Sequence, residues 1–211
     1  MTPTVHLVDD DASFLKASGR MLRGSGYQVA IHDSALEFLG SLTGDARGCV
    51  VADLDMPGLD GLALQRRLER HESRLPVVFL TGRGDIPSSV QAVRAGAEDF
   101  LTKNAPRESL LGAIDRALDR NRRETGERDR LATLRVAFSA LSAREMEVLG
   151  HVVLGRLNKE IASDLVIHER TVKLHRTAIT TKTGLRSAAE LAVACHEARL
   201  FGRAATFPKG Q

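Results

Sequence analysis

The chain has 211 residues, 43% of them hydrophobic and 27% charged, with a net charge of +3 and two cysteines. That balance excludes a disordered polypeptide and a disulfide-stapled module, and the length suits one large domain or two small ones. Residues 1–105 hold 11 basic against 14 acidic side chains, net −3, whereas residues 106–138 carry +2 and residues 139–211 carry +4, so an acidic half precedes a basic half suited to nucleic acid.

Asp9, Asp10 and Asp11 stand where a signal peptide needs its apolar core, and no apolar run spans a bilayer, which points to a cytoplasmic protein with no membrane partner. From there short strand patterns alternate with helix patterns. "TVHLVDD" is a strand, "SFLKASGRMLRGSG" a helix stopped by Gly24 and Gly26, "YQVAIH" a strand and "ALEFLGSL" a helix. "GCVVADL", "LPVVFLTG" and "EDFLTK" are further strands, and "GLALQRRLER", "IPSSVQAVRAG" and "RESLLGAIDRALDR" further helices. Five continuously apolar strands alternating with helices predict an α/β doubly wound parallel sheet covered on both faces. Cys49 and Cys195 fall inside apolar patterns and read as reduced core residues.

"DRNRRETGERDR", Asp119 to Arg130, is charged all round, a solvated helix or a flexible linker. Leu131, Leu134 and Phe138 return at helical spacing, which favours a linker helix over 119–138, between a domain at 1–118 and another at 139–211. Gly126 is its weakest point, at a cost of about 1 kcal/mol relative to alanine. Beyond Ser139 every pattern is helical.

In an open parallel sheet functional groups collect at the carboxyl ends of the strands. Asp9 and Asp10 end the first strand, Asp53 the third, Thr81 the fourth and Lys103 the fifth. Clustered carboxylates repel one another unless a cation sits among them, and Mg²⁺ suits one or two carboxylates plus waters and phosphate oxygens. A lysine and a hydroxyl beside such a site complete an aspartyl-phosphate centre, with one carboxylate as nucleophile. Asp11 reads as a helix N-cap, and Asp60, before a turn glycine, carries no chemistry.

"VDDD" at 8–11, "DLDMPGLDG" at 53–61, "TGRGD" at 81–85 and "DFLTK" at 99–103 resemble the receiver domain of a two-component response regulator, a flavodoxin-like fold, over residues 1 to about 120. The resemblance implies that Asp53 accepts a phosphoryl group from a cognate sensor histidine kinase. It also implies that Asp9, Asp10 and Asp53, with the backbone carbonyl of Asp55, hold Mg²⁺ or Mn²⁺. Thr81 and Lys103 then engage the phosphoryl oxygens, Thr81 and Phe100 act as the switch pair, and the phosphoaspartate hydrolyses slowly. The family usually follows its lysine with a proline, often in a cis bond; here Asn104 follows Lys103, and a cis bond there would cost about 3 kcal/mol. A trans bond and a different placement of Lys103 are expected.

In the basic half, "LSAREMEVLGHVVLG" opens with a Ser142/Glu145 capping box and carries an apolar stripe at Met146, Leu149, Val153 and Leu154. "NKEIASDLVI" and "RTVKLHRTAITTKTGL" form a helical pair joined by "VIHE", the second helix ending at Gly184, and "SAAELAVACHEARL" closes a four-helix set. The longer helix is expected to bury Val172, Ile179 and either Leu174 or His175, leaving Lys173, Arg176, Thr177 and Thr180 outward, a face suited to phosphates and base edges. Residues 139 to about 200 resemble the LuxR-type helix-turn-helix of the FixJ/NarL response regulators. By that resemblance Lys173, Leu174, His175 and Thr177 face the groove of double-stranded DNA, and Asn158, Lys159, Thr171, Arg176 and Lys182 lie along its backbone. A homodimer, at least when phosphorylated, and contact with RNA polymerase are further implications. Leu157 and His168 stand where the family has Ser or Thr caps, and Asn158 is the alternative cap for the first of these helices.

Two other readings fit the sequence less well. In haloacid-dehalogenase-type phosphohydrolases paired aspartates at i and i+2 follow the first strand and continue into Thr or Val; "DLDMPG" follows the third and places Pro57 there. A receiver serving only as a dimerisation module leaves its intact acidic set without purpose.

Overall fold

The computed structural model describes residues 3–71, 74–82 and 96–201. The last residues of the "TGRGD" motif, 83–85, and all of the helix expected over 86–96 except Gly96 lie outside them. Contacts divide the chain into two units, Met1–Gly126 and Glu127–Gln211.

The first unit contains strands β1 (Thr4–Val8), β2 (Gln28–His32), β3 (Gly48–Asp53), β4 (Val77–Thr81) and β5 (Asp99–Thr102). All pair in parallel, in the order β2-β1-β3-β4-β5. Helices α1 (Ala12–Gly24), α2 (Ala35–Ser41) and α3 (Gly61–Arg70) follow β1, β2 and β3, and α4 (Arg107–Ser139) follows β5. The period of two along each strand feeds two separate cores. Val8, Val50, Ala52, Val77 and Phe79 join Phe38 of α2 and Leu64 and Leu68 of α3. Val5, Leu7, Cys49, Val51, Val78 and Leu80 join Leu15 and Leu22 of α1 and Ala113, Ile114 and Ala117 of α4. Both cysteines are free and buried. At the start of β3, Gly48 has φ +140, and a Cβ there would lie 1.8 Å from Thr4 O, so this seat admits only glycine.

The charged run at 119–130 is not solvated all round. Within α4, Asn121 and Thr125 are buried. Asn121 Oδ1 accepts from the Gly48 N–H at 2.9 Å, and the Thr125 hydroxyl donates to Asn121 O at 2.6 Å. The helix runs through Gly126 without a break, and its end supplies Leu134 and Phe138 to the core of the second unit.

That unit continues with α5 (Ala143–Val153), α6 (Asn158–Asp164), α7 (Glu169–Thr183) and α8 (Ala188–Glu197). The capping box at Ser142 and Glu145 forms as expected, and a second closes on Ser187 and Glu190. The α5 stripe is rotated from expectation. Glu145, Val148, Leu149 and Val152 are buried, whereas Leu154 is the C-cap residue and 55% exposed. Asn158 is not the cap of α6: Leu157 occupies that position, and the side chain of Asn158 turns to Arg176. His168 is the N-cap residue of α7 and makes no side-chain cap hydrogen bond, and Gly184 caps the other end in the left-handed region, φ +71.

Candidate functional site

The parallel register brings the carboxyl ends of β1, β3, β4 and β5 to one edge, pairing Val8 with Ala52, Asp53 with Leu80 and Thr81 with Thr102. Asp9 and Asp53 are buried there, 2% and 6% exposed, beside a fully buried Thr81, with Asp10 at the surface. Ligand atoms of Asp9, Asp10 and Asp53 lie within 4.8 Å of one another. Lys103 Nζ reaches Asp9 Oδ2 at 2.7 Å and Asp53 Oδ2 at 2.9 Å. Three carboxylates thus face one ammonium, and the excess negative charge, offered by hard oxygen donors, is what a small divalent cation neutralises. The donor set fits Mg²⁺.

Neighbouring backbone holds the carboxylates in place. The Asp11 N–H donates to Asp9 Oδ1 at 2.9 Å, and the Asp55 N–H to Asp53 Oδ1 at 3.4 Å. Asp11 itself caps α1, accepting from the Ser13 and Phe14 N–H groups, and Asp60 caps α3, accepting from the Ala63 N–H. Burial raises the pKa of Asp9, with Asp53 adding to the rise and Lys103 and the Asp11 N–H opposing it. Burial works against the charge of Lys103, but Asp9 and Asp53 outweigh it and hold the ammonium above the ordinary lysine range.

There is no cis peptide bond among the described residues, so Lys103–Asn104 is trans as expected. The Lys103 N–H donates to Thr81 O at 2.8 Å and the Ala105 N–H to Thr102 O at 2.9 Å, so a tight turn replaces the proline. Phe100 is half-buried against the α2/α3 core. A further neighbour of Lys103 comes from the first turn of α1: the ring centroid of Phe14 lies 4.7 Å from Lys103 Nζ, a contact between residues too far apart in the chain for any local spacing to signal.

In the second unit α7 buries Val172 and Ile179. Leu174 is 63% exposed and His175 half-buried, so neither is the third core residue that the pattern suggested. Lys173 and Thr177 are exposed on the outer face, Lys173 within 3.3 Å of Glu169, and Thr171 is half-buried. Arg176 donates to Asn158 Oδ1 at 3.1 Å. A cleft of about 580 Å³ is lined in part by Arg156, Asn158, Lys159 and Arg176; Arg156, in the loop before α6, escaped the sequence pattern because it belongs to no periodic stripe. Lys182 is already engaged: its ammonium lies 2.7 and 3.0 Å from the carboxylate oxygens of the buried Glu145, whose pKa it lowers.

Residues 5–115 match the response regulator receiver domain, and residues 139–195 match the LuxR family of bacterial regulatory proteins. The response regulator TodT of Pseudomonas putida is 39% identical over 187 residues, 89% of this chain and 82% of that protein. The transcriptional regulatory protein FixJ of Rhizobium meliloti is 38% identical over 184 residues, 87% and 90% of the two chains. The solved structure of the response regulator StyR superimposes with a TM-score of 0.85 at 39% identity, covering 93% of this chain and all of that one. That of FixJ-N has a TM-score of 0.53 at 38% identity and covers 56% and 95%. The chain therefore belongs to the two-component response regulators, as a receiver joined to a LuxR-type helix-turn-helix. It is a regulator of transcription rather than a metabolic enzyme. No helix among the described residues is long and apolar enough to cross a membrane.

Proposed function

We propose that Asp53 is the phosphoacceptor, and that its phosphorylation by a cognate sensor histidine kinase controls dimerisation and sequence-specific DNA binding in the cytoplasm. The observation that carries this is the convergence of Asp9, Asp10, Asp53 and Lys103 at one sheet edge. A carboxylate oxygen of Asp53 attacks the phosphorus of the kinase phosphohistidine. The P–N bond breaks as the O–P bond forms, and its electron pair returns to the imidazole. Lys103 gives the incoming phosphoryl oxygens the hydrogen bonds it now gives Asp53, and the Thr81 hydroxyl takes another of those oxygens. Asp9, Asp10 and Asp53, with the Asp55 carbonyl, would hold Mg²⁺ or Mn²⁺, which when bound offsets the negative charge of the transferred group. Water later attacks phosphorus, releasing phosphate and restoring Asp53, a slow timer rather than a metabolic activity.

Thr81 and Phe100 pass the new charge to the receiver surface, a homodimer forms, and its two basic units bind half-sites and engage RNA polymerase. Lys173, Leu174, His175 and Thr177 read bases, while Lys159, Arg176, Thr171 and Asn158, with Lys182 if Glu145 releases it, meet backbone. Two assays test this. Acetyl phosphate with Mg²⁺ should add one phosphoryl group by intact mass, and Asp53→Asn should abolish it; equal labelling of both overturns the assignment. Lys173→Ala should cost about 1 to 3 kcal/mol at one position of each half-site. Arg176→Ala should weaken all sequences alike. If Lys173→Ala weakened a selected and a scrambled site equally, base reading through Lys173 would be wrong.

A further inference from the structure

We propose that Phe14 is a positioning residue for the phosphoryl-transfer lysine, its ring serving as the fixed seat of the Lys103 ammonium; this rests on Asp53 being the phosphoacceptor. Lys103 is followed by Asn104 in a trans bond, and the Lys103 and Ala105 N–H groups tie down the backbone of this loop. The long side chain still needs something to aim it. Asp9 and Asp53 do so now, at 2.7 and 2.9 Å, but both are carboxylates whose partners change once a metal ion and a phosphoryl group arrive. A neighbour that carries no charge is Phe14, whose ring centroid lies 4.7 Å from Nζ.

That ring is well anchored. Phe14 lies in the first turn of α1, where its N–H donates to the Asp11 side chain at 3.1 Å, and it packs against the core shared by α1 and α4. The side chain of Lys103 is only 19% exposed, so the ammonium meets the negative face of the ring with little water to screen it. The acidic triplet thus acts twice: Asp9 and Asp10 supply charge to the site, and Asp11 fixes the turn that presents the ring.

A contact of this kind is electrostatic, so it responds to the charge distribution of the ring and not only to its bulk. The test replaces Phe14 with Leu, with Tyr, and with phenylalanines bearing one, two and three ring fluorines, and follows labelling by acetyl phosphate at saturating Mg²⁺. Labelling should slow about two- to fivefold in Phe14→Leu, fall stepwise along the fluorinated series, and stay near the parent rate in Phe14→Tyr. In a Lys103→Met background Phe14→Leu should add no further loss. In metal-free protein the Lys103 ε-methylene protons should show an upfield ring-current shift that Phe14→Leu abolishes. A flat fluorinated series with labelling of the parent intact overturns the role of Phe14 and leaves Asp53 standing. Undiminished labelling of Asp53→Asn overturns the assignment of Asp53, while the ring-current shift is unaffected.

Discussion

Gly61 opens α3 directly beneath the end of the strand that carries Asp53. Its N–H donates to Leu54 O at 2.9 Å, closing the "DLDMPGLDG" loop. A Cβ on this residue would lie 2.6 Å from Asp53 O, 2.9 Å from Phe79 Cε1 and 3.0 Å from Leu54 Cα. Gly61→Ala therefore sets two effects against each other. Alanine is worth up to about 1 kcal/mol over glycine inside a helix, and less at its first position. Crowding a packed site costs about 1 to 3 kcal/mol, and here the nearest atoms are backbone or a buried ring, which cannot swing aside. Crowding wins, for a net loss of about 1 to 2 kcal/mol, read as a lower urea midpoint at unchanged slope. Because the carbonyl that must yield belongs to Asp53, labelling by acetyl phosphate should slow several-fold as well. A variant as stable as the parent and labelled at the same rate would refute the claim that Gly61 sets the position of Asp53, the proposed phosphoacceptor.

Three further expectations follow from local features. His6 is held at about 4, first by burial and then by the neighbouring His32, against an unfolded value of 6.5. The unfolded chain therefore binds the extra proton between these values, and stability should fall by about 1 to 2 kcal/mol as pH drops from 6.5 towards 4, a slope that His6→Leu removes in calorimetry. Lys182→Met should lower the unfolding temperature by stripping Glu145 of its partner, yet lower the salt slope of DNA binding by less than the roughly one unit expected for Lys159→Ala; a full unit would show that Lys182 reaches phosphate. Val166, in the turn between α6 and α7, has φ +53 and is 89% exposed, so Val166→Asn should relieve strain of about 1 kcal/mol and raise the unfolding midpoint.

The strands and their order of function were readable because a continuously apolar pentamer ending in a carboxylate has few other uses in a soluble chain. Asp11 as a cap and the Ser142 box were readable for the same kind of reason, since each follows from a spacing within one turn. What escaped depends on partners distant in sequence. Asn121 and Thr125 looked like members of a charged, solvated helix, although their i, i+4 spacing places two small polar groups on one face. Phe14 satisfied the apolar stripe of α1, and only the fold reveals the ammonium across from it. Glu145 fitted its box so well that nothing pointed to a second partner on α7. Periodicity alone offered Leu174 or His175 as a third inward residue, but Val172 and Ile179 already fill the short face that α7 presents to its core.

β3 is buried along its whole length, and Cys49, Val50, Val51 and Ala52 are similar enough in size that sliding the strand by one residue would exchange one small apolar side chain for another. Such a strand carries almost no information about its own alignment. Gly48 supplies it: either neighbour, Arg47 or Cys49, would bring a Cβ into the seat against Thr4 that only glycine can take. Asp53, the proposed phosphoacceptor, is thus aligned from the opposite end of its own strand, and a mispairing at Gly48 would surface as labelling lost at Asp53.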